Sequence, residues 1–441
     1  MKGFAYEDDE LHADGTKVSE LASAAGTPLF VYSWAMVLDR LRELRRAFAE
    51  LSPRIRYAIK ANSNGALLRL LREAGAGFDV VSGGELQRVL QSGSPPGEIV
   101  FAGVGKQDWE IRLALRAGIG MINVESEGEL ARIRELARAH ERSVDVALRL
   151  NPDVDADTHE YISTGRRQNK FGVDFSTADR LVGTIHDDPF LELRAYHVHL
   201  GSLLLDPGPY LEAAAAVMDF LDEDEGRMRG VRSYDMGGGF GVRGLCEEPL
   251  ELGQLAEGMR ELLIPRGLDL MLEPGRYLVG NAGLLLTRVL VQKPGSGKDF
   301  VVVDAAMNDL LRPALYGAEH EILPVRGGRP PASRPVDIVG PICETADFLG
   351  LSRALPELEA GELLAVCNAG AYGASMASNY NSRPLAAEVL TGEGAPRLIR
   401  RRQEHGALWQ DEVEETLDPN RPAREPHFEL GDSETGKDAL G

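Results

Sequence analysis

The chain is short of cysteine, with three in 441 residues (Cys246, Cys343 and Cys367), too scattered for a disulfide framework or a CxxC metal site. Aromatic residues make up only 6%, within ordinary globular composition. No HExxH or His/Cys cluster is present, so no bound metal is expected. No uncharged apolar run approaches the roughly 18 residues that span a bilayer. The start, MKGFAYEDDE, lacks the basic and apolar regions of a signal peptide. Positive charge is in deficit: 48 Lys and Arg against 69 Asp and Glu leave −21, which argues against nucleic acid or an anionic membrane as partner. A cytoplasmic protein is therefore expected.

Length and ordinary globular composition, with 43% apolar and 27% charged residues, allow a large barrel plus a second domain. Residues 411–441 differ, holding ten acidic residues against three basic ones, and read as an acidic, disordered tail from about 406. From about residue 54, short β-branched runs alternate with amphipathic helical stretches. The strand candidates are 54–59, 78–81, 99–102, 119–124, 144–150, 194–199, 233–237 and 269–273. Helical spacing is clearest at Leu130, Ile133, Leu136 and Ala137 within 127–139. Eight strands alternating with helices suit a (β/α)₈ TIM barrel over 34–280. A doubly wound open sheet is the rival, but no GxGxxG follows the first strand. After about 281 the rhythm changes to short strands between Gly/Pro turns, at 284–291, 299–304, 336–340, 362–367, 385–390 and 397–402. That predicts an all-β domain, Greek-key-like barrel or sandwich, over 281–405. The segment 1–33 is expected to pair with the β domain through PLFVYS at 28–33.

In a barrel the chemistry gathers at the carboxyl ends of the strands. Those ends carry Lys60, His199, Gly237-Gly238-Gly239 and Glu273-Pro274-Gly275-Arg276. Singly, each has a plain structural explanation: a solvated lysine, a core histidine, a tight turn. Together they describe a site for pyridoxal 5′-phosphate. A lysine can form a Schiff base with an aldehyde cofactor. A glycine run suits the phosphate site at strands seven and eight. An imidazole can cover the ring face, and a carboxylate can keep the pyridine nitrogen protonated so that the ring absorbs electrons.

The motifs YAIKAN (57–62), HVHLGS (197–202), GGGFG (237–241), EPGR (273–276), GPICET (340–345) and GAYGASMASNYNSRP (370–384) resemble those of the meso-diaminopimelate decarboxylase family. These are fold-type III, alanine-racemase-like pyridoxal-phosphate enzymes, and the resemblance runs from about residue 4 to 403. It implies that Lys60 is the covalent anchor, that His199 stacks on the ring and that Glu273 pairs with the pyridine nitrogen. Ser202, Gly237, Gly238, Gly239, Gly275, Arg276 and Tyr372 would hold the phosphate. Arg276, Arg312, Tyr316 and Tyr372 would line the amino-acid substrate, with Glu344 receiving its distal ammonium. Cys343 would donate a proton, reaching in from the other subunit of a homodimer with shared sites.

Glu273 disfavours a racemase, since a racemase of this fold pairs the nitrogen with Arg. Two further alternatives stay open: a related decarboxylase acting on another amino acid, and a catalytically dead homologue. Cys246 and Cys367 read as structural, and His159 belongs to a flap in the acidic loop 153–160. The sequence departs from the pattern at Leu203, where Gln is common, and at Asn368, where an acidic residue is frequent.

Overall fold

The computed structural model describes residues 3–154, 170–242 and 250–414. Cys246, His159 and the acidic tail beyond Glu414 lie outside the described residues. Eight parallel strands close into a barrel: Arg54–Ala58, Gly77–Val80, Ile99–Phe101, Met121–Val124, Val144–Arg149, Leu191–His197, Ser233–Asp235 and Asp269–Leu272. The ring shuts where Met271 and Leu272 pair with Arg54 and Ile55. Helices follow the strands and face them with apolar stripes. In Glu127–Ala139, Leu130, Ile133, Leu136 and Ala137 are buried, and Ser126 caps the helix by accepting from the Glu129 N–H. Burial of one Leu or Ile is worth about 1.5–3 kcal/mol and such a cap about 1 kcal/mol.

Inside the barrel the strands stack two unlike layers. Val100, Met121, Ala147, Ala195 and Met271 form a small apolar cluster. Two residues further along four of those strands stand Asn123, Arg149, His197 and Glu273, all buried and all polar. The period of two keeps them on the same face as the apolar layer, so the barrel interior turns polar towards the carboxyl ends of its strands.

The second domain is one nine-stranded sheet with a short helix, Arg312–Tyr316. Its spine is Gly283–Lys293, which bends across both halves. The early strand Leu29–Ser33 pairs antiparallel with that spine and parallel with Ala387–Thr391, so it sits inside the sheet. Every residue of Leu29–Ser33 is buried, which explains its unbroken apolar run. Two strands of this sheet escape sequence reading, Ile322–Pro324 and Phe348–Arg353, as do the three of a small N-terminal sheet, Phe4–Glu7, Glu10–Ala13 and Thr16–Lys17. The first ends in proline and the second has exposed residues at 351 and 352, so neither shows a clean period of two. Among the described residues no helix is long and apolar enough to cross a membrane.

Candidate active site

Lys60 lies in a single helical turn, Ile59–Ala61, directly after the first barrel strand. Its side chain is 35% exposed, and its Nζ meets Asp79 Oδ2, on the second strand, at 2.6 Å. Burial alone would lower the Lys60 pKa, but Asp79, Tyr372 and Glu273 more than offset it and raise the ammonium's pKa.

Glu273 follows the eighth strand and is 5% exposed. His197 Nε2 is 3.2 Å from Glu273 Oε2, while Glu273 Oε1 is buried with no partner among the described residues. Burial pushes this carboxyl up, yet the charge and hydrogen bond of His197, with the charge of Lys60, hold it at about 2. Glu273 is thus an ionised carboxylate with one oxygen uncommitted. A buried acceptor with nothing to accept costs about 1–3 kcal/mol, so the site is built for a donor absent from the chain itself. A pyridinium N–H is such a donor.

His199 is driven far below the usual imidazole range by burial and then by Arg149 and Lys60, so it is neutral. Its Nδ1 accepts from the Gly238 N–H at 3.1 Å, which puts the ring proton on Nε2. A neutral flat ring suits stacking on a pyridinium.

The glycine run is a matter of clearance. A Cβ on Gly237, Gly238 or Gly239 would come within 2.5, 2.2 or 2.2 Å of the backbone oxygens of Val198, Glu273 or Gly201. Gly237 and Gly239 also adopt φ of 69° and 90°. The Gly237 N–H is already committed to Asp235 Oδ1 and the Gly238 N–H to His199. Those two therefore shape the floor rather than offer free donors. Gly275 precedes the short helix Arg276–Val279 and would touch Ala61 and Ala58 if it carried a Cβ. Ser202 is half-buried in the loop beyond the sixth strand. Next to it Leu203 takes a φ of 65°, left-handed backbone that a leucine rarely adopts.

The β domain closes the site from the other side. Tyr372 donates its N–H to Ala61 O at 2.8 Å, and Asn62 Nδ2 bonds Gly370 O at 3.1 Å. The Arg276 guanidinium lies 4.7 Å from the Tyr372 ring centre, and that of Arg312 5.9 Å from the ring centre of Tyr316. Arg276 and Arg312 are both buried, and the Nε of each is unpartnered. Burial, then the charge of Arg276, lowers the Arg312 pKa to about 10. Two buried like charges without a counter-ion among the described residues make an anion receptor.

Cys343 and Glu344 are not part of this cluster. Both are exposed, on the loop between Val336–Val339 and Phe348–Arg353, where Cys343 Sγ meets Asn381 Oδ1 at 3.5 Å and Glu344 lies beside Tyr380. Cys367 is half-buried, and burial followed by Glu321 pushes its thiol to about 12, so it is inert at neutral pH. Sequence reading missed Asp79, Arg149, His197 and Asp235. Each is a polar residue at an inward position of an otherwise apolar strand, a signal that was present in FDVV, VALRL, YHVH and SYDMG. Among the described residues, His197, Asp235 and Glu273 alone bring three metal-ligand-type atoms within 4.8 Å of one another.

Residues 35–280 match the pyridoxal binding domain of the pyridoxal-dependent decarboxylases. The chain is 45% identical to a diaminopimelate decarboxylase of Pseudomonas aeruginosa over 412 residues, 93% of this chain and 99% of that protein. It superposes on diaminopimelate decarboxylase from Helicobacter pylori complexed with L-lysine with a TM-score of 0.85 and 40% identity, covering 89% of this chain and 98% of that one. Diaminopimelate decarboxylase from M. jannaschii, also in complex with L-lysine, gives a TM-score of 0.89 and 35% identity, over 94% of this chain and 98% of that one. Barrel, β domain, Lys60–Glu273 cluster and these likenesses agree: the chain belongs to the diaminopimelate decarboxylase family of pyridoxal-phosphate-dependent carboxy-lyases.

Proposed function

We propose that this chain removes the carboxyl group at the D-configured centre of meso-2,6-diaminopimelate, releasing CO₂ and L-lysine, in a homodimer whose sites are completed across the interface. The observation that carries the reading is the pair of buried guanidiniums, Arg276 and Arg312, beside the Lys60–Glu273 cluster. A substrate with an amino-acid group at each end offers one end to the cofactor and a second carboxylate to that pair.

The cofactor fits the residues present: Lys60 would hold its carbonyl carbon, Glu273 Oε1 its pyridine nitrogen, His199 one ring face, and the glycine-lined floor its phosphate. When bound, pyridoxal 5′-phosphate supplies an electron sink for the pair left behind as CO₂ departs. Lys60 Nζ, placed by Asp79 at 2.6 Å, would hold the cofactor's carbonyl carbon once it gives up its proton, and Asp79 Oδ2 is the acceptor within reach of that proton. Ionised Glu273 would keep the ring nitrogen protonated and so strengthen that sink. Arg276 and Arg312, with Tyr316 and Tyr372 against their guanidinium faces, fix the distal carboxylate. Glu344 of a second subunit would receive the distal ammonium, and Cys343 Sγ of that subunit would deliver the proton that replaces CO₂. The exposure of both residues on one chain supports that assignment.

The test is CO₂ release with chiral product analysis, from the pyridoxal-phosphate-loaded protein offered meso-, LL- and DD-diaminopimelate, L-ornithine and D-lysine. The expected result is strong preference for the meso form with L-lysine as product. Preferred turnover of another amino acid would reject the substrate assignment and give Arg312 and Glu344 a different ligand.

A further inference from the structure

The polar layer inside the barrel contains an imidazole that the reaction above does not use. The register places His197 between Asp235 on one neighbouring strand and Arg149 on the other. His197 is 1% exposed, and its Nε2 reaches Glu273 Oε2 at 3.2 Å, while its Nδ1 has no partner among the described residues. We propose that His197 is a positioning residue: by donating from Nε2 to Glu273 Oε2 it keeps that carboxylate ionised and reserves Oε1 for the cofactor's pyridine N–H. The inference rests on the reading that Glu273 holds the pyridine nitrogen.

The barrel supplies its own comparison. Asp235, Asp79 and Glu273 are all carboxylates buried at the same end of the strands. Burial, then the charge of Glu273, pushes the Asp235 pKa well up, and the same two causes raise Asp79, whose Lys60 contact only partly offsets them. Glu273 goes the other way, and the largest influences opposing its burial are the charge and hydrogen bond of His197. His197 in turn is raised despite its burial, by Glu273 and then Asp235, with Arg149 acting against it. Without His197 the largest influence opposing burial is lost, and the Glu273 carboxyl moves up, in the direction Asp235 takes. A neutral acid can give its proton to the pyridine nitrogen only as a hydrogen bond, which leaves the ring a poor electron sink. Arg149 is held off as a competing partner because both its Nη1 contacts go to Glu125, at 2.9 Å.

The experiment uses pyridoxal phosphate labelled with ¹⁵N at the ring, bound to the full-length protein, and reads the nitrogen's chemical shift across about pH 6 to 9. The wild-type nitrogen is expected to stay protonated throughout. In H197L it is expected to titrate within that range, with kcat down roughly 10- to 100-fold and KM changed only a few-fold. H197Q keeps a donor without the charge, and its titration is expected between the two. A protonated nitrogen throughout in H197L overturns the proposal; if H197L does not load with cofactor, an H197Q profile identical to wild type does so. E273Q separates the two levels of the argument. It is expected to lose the pyridinium signal, and if it retains it, the role of Glu273 itself falls and the inference about His197 with it.

Discussion

At the scale of single residues, the site works by setting opposite charge states on similar groups. Glu273 is held low and Asp235 is pushed up, because the imidazole of His197 offsets the burial of one carboxyl, while burial and the charge of Glu273 act together on the other. His199 and His197 differ for the mirror-image reason: one faces cations, the other carboxylates. A third histidine gives a pH prediction. His320 is 2% exposed, its Nδ1 bonds Cys367 O at 2.8 Å, and burial lowers its pKa to about 4 from 6.5. Its folded pKa lies below its unfolded one, so between those values the unfolded chain binds the extra proton and stability rises with pH. The loss on acidification approaches about 1.4 kcal/mol per pH unit in that window. Urea midpoints measured from pH 4 to 6.5 are expected to fall less steeply for H320Q than for wild type. Parallel profiles would remove His320 as the cause.

Glycine 238 carries a residue-scale prediction about the floor. A Cβ there would stand 2.2 Å from the Glu273 carbonyl oxygen, so G238A has to move the strand end that presents Glu273. Overpacking of this kind costs about 1–3 kcal/mol, which corresponds to roughly 5- to 150-fold in cofactor affinity. Titration of the apo-protein with pyridoxal phosphate checks it, and unchanged affinity would show that the floor can yield.

At the scale of elements, the loops that carry chemistry are held by buried polar groups rather than by packing. Asp347, 3% exposed, accepts the N–H of Met307 and of Ile342, each at 2.7 Å. It thereby ties the loop bearing Cys343 and Glu344 to the segment that leads to Arg312. D347A would leave two donors unsatisfied, at about 1–3 kcal/mol each. Turnover is expected to fall well below wild type while cofactor affinity stays within a few-fold; equal loss of both would mean that the whole domain has come apart. The barrel strands and their helices were legible in the sequence because parallel strands buried on both faces read as apolar runs and helices keep their 3.6-residue period. Leu130, Ile133, Leu136 and Ala137 mark such a face and are buried as their spacing requires. The strands Ile322–Pro324 and Phe348–Arg353 were not legible, since register with Leu363–Val366 and Val336–Val339 decides them, not local pattern.

At the scale of the molecule, the motif residues were legible, but the partners that set their charge were not. Lys60, His199, Glu273 and the glycine run stand at strand ends that periodicity alone locates. Asp79, His197 and Asp235 matter through contacts across 19, 76 and 38 positions of chain, which no local reading supplies. Closing the barrel makes those contacts. On one chain Cys343 and Glu344 lie at the surface beside Asn381 and Tyr380, which is what the proposal that they serve a second subunit's site requires.

The central claim, a site assembled from two copies, is tested by mixing subunits. K60A and C343A variants are each expected to be nearly inactive. Unfolded together and refolded as an equal mixture, they form about half mixed dimers, in which one of the two sites has both an intact Lys60 and an intact Cys343. The mixture is then expected to recover about a quarter of wild-type activity. No recovery, from mixed dimers shown to have formed, would mean that Lys60 and Cys343 serve one site within one chain, and would contradict the account.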